Sequence, residues 1–173
     1  FFDIGTNGEL VIGNNQWLVA GAGAAGPALE GYISRYGMRA SSGAIDSIKI
    51  HGQELSYTTI GNEKPIGICG SGIIDLLAQM RLNGWINIAG ELNPEGSPRI
   101  VYLPDENQYG AIYAYAEESA NGNPLYFSQT DIDQYLDTKA AAFTMMECLQ
   151  ESAGIAFEEL DHCYLSGAFP AHS

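Results

Sequence analysis

Three glycine-bearing turns, each placed directly after an apolar run, constrain this chain more than any other feature. Asp3-Ile4-Gly5-Thr6-Asn7-Gly8-Glu9 follows Phe1-Phe2, Gly70-Ser71-Gly72 follows Pro65 to Cys69, and Gly167-Ala168-Phe169-Pro170 follows Leu160 to Ser166. Glycine after a strand lets the backbone turn sharply or approach a ligand closely. In the first turn a carboxylate at a strand end precedes two glycines flanking a hydroxyl and an amide. Such a turn can aim several backbone N–H groups at one anion while Asp3 holds a hydrated Mg2+ beside it. The same spacing also fits an ordinary Asn-Gly hairpin. The second turn opens a helical pattern, where unpaired N–H groups and the partial positive charge of a helix start make an anion or ribose site. Ser71 fits a plain N-cap equally well. The third lets a flat base or a ribose approach the backbone.

The runs between these turns predict an α/β chain. Residues 1–4, 9–13 and 16–23 read as an antiparallel meander broken at Gly5 to Gly8 and at Asn14-Asn15. Ile45 to Ile50 and Glu54 to Ile60, joined through His51-Gly52, read as a further hairpin. Pro65 to Cys69 reads as a buried strand running into Gly70-Ser71-Gly72, and Ile73, Leu76, Leu77 and Met80 then mark one face of a helix to about Leu82. Residues 83–127 are the least legible stretch, with short strands expected at Ile100–Leu103, Ala111–Ala116 and Leu125–Phe127. Thr130-Asp131-Ile132-Asp133 resembles a capping box, and Ile132, Leu136, Ala140, Phe143, Met146 and Leu149 predict a long helix to Gly154.

Charge narrows the partners. Seven Lys and Arg against 21 Asp and Glu leave a formal net charge of -14, which repels a phosphate backbone or an anionic bilayer. Neither nucleic acid nor membrane is therefore expected as a partner. No run of about 18 apolar residues is present. Cys69, Cys148 and Cys163 form no Cys-x-x-Cys pair, so neither a disulfide framework nor a metal site is legible and a reducing cytoplasm is the expected location. His51 and His162 lack metal-ligand spacing. The chain opens on an apolar strand and stops just after another, and the expectation is that it is a piece of something longer.

Three glycine turns at strand ends, without a catalytic His or Cys grouping, favour a nucleotide cleft over covalent catalysis. Their order, with Asp-x-Gly-Thr first, a glycine turn after a strand last and helices between, resembles the second half of the acetate and sugar kinase, heat-shock chaperone and actin superfamily. Within it the chain is most similar to the reductive activators of corrinoid proteins, ATP-dependent iron-sulfur proteins that return cobalt(II) corrinoid to cobalt(I). The resemblance is carried by Asp3 to Glu9, Ala24-Ala25-Gly26-Pro27-Ala28-Leu29-Glu30-Gly31, Gly37-Met38-Arg39-Ala40 with Gly43-Ala44-Ile45, Gly67 to Asp75, Gln129-Thr130-Asp131-Ile132 and Tyr164 to Phe169. It implies one actin-like, ribonuclease H-like half over residues 1–173, a mixed sheet begun by the meander and flanked by helices, with residues 83–127 inserted and the iron-sulfur and first-phosphate domains elsewhere.

The resemblance further implies ATP and Mg2+ as ligands. Asp3 would be the metal-holding and catalytic residue; Gly5, Thr6, Asn7, Gly8 and Glu9 would line the phosphate loop. Gly70, Ser71, Gly72, Gly167 and Ala168 would face ribose or base. Ala168 and Pro170 depart from the Gly-Gly-Phe-Gly of the family, which restricts that turn. The implied partner is the corrinoid protein of a methyltransferase system, and self-association into a homodimer is left open. The iron-sulfur cluster has no ligands in this chain. With a single Asp-x-Gly-Thr hairpin, the isolated chain is expected to turn over ATP weakly or not at all. Two other readings fit the same residues: a sugar- or acetate-kinase half, and an actin-like interaction module that has lost nucleotide.

Overall fold

The computed structural model describes residues 1–4, 8–23 and 33–166. In chain order these form β1 (Phe2–Ile4), β2 (Gly8–Gly13), β3 (Leu18–Gly23), β4 (Ala44–His51), β5 (Glu54–Thr59), β6 (Gly67–Ile68), α1 (Gly70–Leu82), β7 (Ile100–Leu103), β8 (Gln108–Ala114), β9 (Leu125–Ser128), α2 (Gln129–Ala153) and β10 (Leu165–Ser166). Two compact units emerge, Phe1–Ala28 with Leu136–Ser173, and Leu29–Tyr135.

In the first unit the meander forms as the sequence predicts, and β10 joins it parallel to β1, giving the order β10-β1-β2-β3. The β2–β3 turn closes through Asn14, whose Oδ1 accepts the Gln16 amide at 2.8 Å while its own N–H donates to the Trp17 carbonyl at 2.9 Å. Leu10 and Ile12 are buried, on the face that also carries Gly21 and Gly23. A side chain at either glycine would meet α2: a Cβ on Gly21 would lie 3.1 Å from Leu149 and one on Gly23 2.6 Å from the Met145 sulfur. The bare strand is what lets the helix come down onto the sheet.

That contact corrects the expected face of α2. Ile132 is buried and Met146 and Leu149 are half-buried, but Leu136, Ala140 and Phe143 are exposed. The row turned inward is Ala142, Met145, Leu149 and Ala153. Steps of three and four residues are both compatible with a helix, so a long pattern drifts around the cylinder and several apolar rows compete. The cap also differs from the expected box. Ser128 Oγ accepts the Asp131 amide at 3.2 Å and Asp131 Oδ2 accepts the Ser128 amide at 2.8 Å, a reciprocal pair two residues earlier than Thr130 and Asp133. The Thr130 hydroxyl donates instead to Gln108 Oε1 at 2.8 Å.

Burial raises the Asp131 carboxyl above its usual range, against the opposing pull of its bonds to Ser128. Because the folded form holds this proton more tightly than the unfolded chain, the stability linked to it is present below the unfolded pKa and is lost as pH rises through the folded one. Asp131→Asn keeps an acceptor for the Ser128 amide but does not titrate. Its melting temperature is expected to rise relative to the parent's between about pH 3 and pH 7, the range that spans a raised carboxylate; a constant difference across that range would show that the charge carries no cost.

In the second unit β4 and β5 pair antiparallel and β6 adds parallel to β4 at Ala44↔Gly67 and Ile45↔Ile68. The strand expected over Pro65 to Cys69 thus pairs over two residues only. α1 packs on β4 through Ile73, Leu76, Leu77 and Met80, as its spacing predicts. The stretch 83–127 supplies β7, β8 and β9, an antiparallel three-stranded sheet. Trp85 is fully buried and its indole N–H donates to the Gly52 carbonyl at 2.9 Å, holding the β4–β5 turn. Among the described residues no helix is long and apolar enough to cross a membrane.

Candidate functional site

In the first unit, Asp3 lies between two neighbours in register, Ser166 on β10 and Glu9 on β2, while Ile4 pairs with Gly8. Alternation along β1 and β2 sets this row on the face opposite Phe2 and Leu10. Asp3 and Ser166 are half-buried and Glu9 is exposed. Two carboxylates directly across from one another repel, and a hard cation held through water would offset that repulsion using the oxygen donors such ions prefer. β1 and β10 are parallel and in register, so their C-terminal residues, Ile4 and Ser166, lie at the same end of the sheet. Gly5, Thr6, Asn7, Gly167 and Ala168 lie outside the described residues.

Gly70, Ser71 and Gly72 form the first turn of α1, in the second unit. Cys69 occupies the N-cap position and makes no side-chain capping bond; no acidic residue stands in the first turn. The Ser71 hydroxyl donates to the Asp46 carbonyl at 2.9 Å, so Ser71 is not the N-cap. Gly72 is required by packing, because a Cβ there would fall 2.4 Å from the Ile45 carbonyl oxygen and 2.8 Å from Ile68 Cγ1. What the turn offers an anion is therefore its backbone amides and the helix dipole.

Farther along α1, three polar side chains face β4. Asp75 Oδ2 accepts the Ser47 hydroxyl at 2.8 Å and the Ile48 amide at 3.1 Å, Gln79 Oε1 accepts the Ile50 amide at 3.1 Å, and Asn83 Oδ1 accepts the Gly52 amide at 3.0 Å. Asn83 Nδ2 returns a bond to the Ile50 carbonyl at 3.1 Å. Four residues of helix rise about 6 Å and two residues of strand nearly 7 Å, so a polar row at four-residue spacing meets every second strand amide. The sequence sign of this row is the four-residue spacing of Asp75, Gln79 and the C-cap Asn83 beside the apolar face of α1.

Elsewhere, Arg35 Nη1 donates to Tyr126 Oη at 3.0 Å and pairs with Glu106 at 3.4 Å, and the Tyr126 hydroxyl donates to Glu106. The bond from Tyr126 is the main reason that the Glu106 carboxyl titrates below its usual range, and burial pushes the Tyr126 phenol up to about 12. Arg35 and the pair it meets tie the segment before Gly37 to β9. Cys69 is buried, Cys148 and Cys163 are exposed and all three are free thiols. No group of three or more metal-binding side chains occurs among the described residues, and the cysteines do not fit an iron-sulfur cluster.

Residues 1–172 match the family described as the C-terminal domain of RACo, the ASKHA domain. Among curated proteins, the chain is 32% identical over 173 residues to the corrinoid activation enzyme RamQ of Eubacterium limosum, covering 96% of this chain and 29% of that protein. It is 24% identical over 192 residues to the [Co(II) methylated amine-specific corrinoid protein] reductase of Methanosarcina barkeri, covering 98% and 32% respectively. A solved structure of a reductive activator for corrinoid, iron-sulfur protein superposes with a TM-score of 0.87 at 38% identity, over 97% of this chain and 27% of that one. The chain thus spans less than a third of the length of these relatives. With the α/β, actin-like fold and nearly the whole chain matched, the chain belongs to the family of RACo C-terminal ASKHA domains.

Proposed function

We propose that this chain is the second ATP-binding half of a longer reductive activator, acting in the cytoplasm to return a cobalt(II) corrinoid protein of a methyltransferase system to cobalt(I). The observation that supports it most is the parallel register of β1 and β10, which sets Asp3 beside Ser166 at the same end of neighbouring strands. The names of the relatives, a corrinoid activation enzyme and a corrinoid protein reductase, favour the corrinoid as the partner.

In this reading Asp3 holds Mg2+ through water, and the amides from Gly5 to Gly8 receive the phosphates with Glu9 at the loop's end. The first turn of α1, Gly70-Ser71-Gly72, in the second unit, and Gly167-Ala168, in the first, are each proposed to meet ribose or base. Bound Mg2+ supplies positive charge against the phosphates. The chain's own contribution is positioning and charge stabilisation, with no covalent step. The first phosphate loop and the cluster that carries the electron belong to the rest of the protein.

Asp3→Ala in the full-length protein is expected to lower Mg-ATP turnover about tenfold to a hundredfold, the scale of losing a residue that holds a metal through its outer shell. Melting temperature should change by no more than a few degrees, since a half-buried strand carboxylate contributes little to stability. Equal losses of turnover and stability would make Asp3 structural. A full-length protein that binds no nucleotide at all would favour the interaction module instead.

A further inference from the structure

Contacts within the second unit run from α1 into β4 and back to the turn where α1 begins. Asp75 Oδ2 takes both the Ser47 hydroxyl and the Ile48 amide. The pairing of β4 with β5 shifts between Ile45 and Ser47, so the strand bulges at that point. The carbonyls of the bulged stretch meet the start of the helix: Ile45 accepts the Cys69 amide at 3.0 Å and the Cys69 thiol at 3.3 Å, and Asp46 accepts the Ser71 hydroxyl at 2.9 Å. One helix residue thus fixes the strand segment whose carbonyls fix the helix's own first turn.

We propose that Asp75 is the positioning residue of the Gly70-Ser71-Gly72 turn, setting the direction of its amides through the bulge at Ile45 to Ser47; this rests on the nucleotide reading above. A carboxylate suits the task because it accepts without donating, and one oxygen takes two donors at the bulge. Gln79 and Asn83 bond β4 beyond the bulge, at Ile50 and Gly52, and so secure the helix without reaching its first turn. The arrangement separates holding α1 on the sheet from aiming its N-terminal end. Asp75 acts through Ile45 and Asp46, not on the nucleotide.

The test uses the full-length protein and its Asp75→Ala, Asp75→Asn, Ser47→Ala and Gln79→Ala variants, reading amide exchange at Cys69 and the Kd for MgATP. Asp75→Ala is expected to speed Cys69 exchange and to weaken MgATP binding, each about tenfold, the scale of one lost charge-assisted bond. Asp75→Asn, which keeps an acceptor oxygen but loses the charge and adds a donor, should shift both readouts in the same direction but less than Asp75→Ala. Gln79→Ala should lower the melting temperature while leaving both readouts near the parent's. Should Asp75→Ala fail to fold, Ser47→Ala removes one donor at the bulge and is expected to shift both readouts in the same direction, less strongly. Unchanged exchange in Asp75→Ala or Ser47→Ala, or an equal shift in Gln79→Ala, overturns the proposal. If the parent binds MgATP and Asp75→Ala binds it equally well, this proposal alone fails; if the parent binds none, the nucleotide reading fails and takes this one with it.

Discussion

Replacing Trp85 by Ala is expected to cost about 3 to 5 kcal/mol of stability, the range for truncating a large buried aromatic. The side chain is fully buried, and its N–H is bonded to the Gly52 carbonyl at 2.9 Å. Truncation therefore opens a cavity behind α1 and removes a tie to the β4–β5 turn together. Trp17, half-buried beside the β2–β3 turn, is the comparison. Trp17→Ala should cost clearly less, because water already reaches that side chain and little cavity forms. Urea unfolding followed by circular dichroism measures both, and similar losses at the two positions would refute the packing argument.

The second large effect is expected at Gly72. An added methyl group there points at the Ile45 carbonyl oxygen from 2.4 Å, and that oxygen also accepts the Cys69 amide. A backbone atom already committed to a bond cannot move aside cheaply, so α1 must lift from β4. We expect Gly72→Ala to lose about 3 kcal/mol, at or above the upper end for overpacking. Gly21→Ala offers the contrast. Its methyl group would meet the tip of Leu149 at 3.1 Å, and a rotatable side chain can yield. If Gly72→Ala proved no more harmful than Gly21→Ala in the same denaturation experiment, the close approach of α1 to the strand would not be what requires glycine.

Local patterns in the sequence were sufficient for some elements and insufficient for others. The β2–β3 hairpin, the β4–β5 hairpin and the start of α1 at Gly70 depend on neighbours within a few residues, and those neighbours are turn formers or a helical apolar row. β10 is different. That it pairs with β1, more than 160 residues away, depends on which strand the sheet leaves unpaired, and nothing near Leu165 specifies it. The face of α2 failed for a related reason: the glycines of β3, not the apolar pattern of the helix, decide which row packs. At the capping box, Thr130 to Asp133 imitated the signature that Ser128 and Asp131 fulfil.

The candidate site divides the same way. Asp3 and Glu9 were legible as separate members of one turn motif; that they stand directly opposite one another was not, because it depends on the register of β1 against β2. The role of Ser71 was not, since its hydroxyl partner is a main-chain carbonyl 25 positions earlier, which side-chain identity cannot announce. Asp75 was visible only as the last residue of the Gly67 to Asp75 segment that carries the family resemblance.

The row of Asp75, Gln79 and Asn83 also bears on what this flank of β4 presents to another chain. β6 covers β4 only at Ala44 and Ile45, and past that point the amides of Ile48, Ile50 and Gly52 are occupied by helix side chains. A strand flank with its donors occupied gives an invading chain no template, so sheet growth and strand exchange are blocked on that side without a further strand. Substitutions in this row would therefore expose an adhesive margin even where the fold survives, and their first symptom in the cell would be loss of soluble protein.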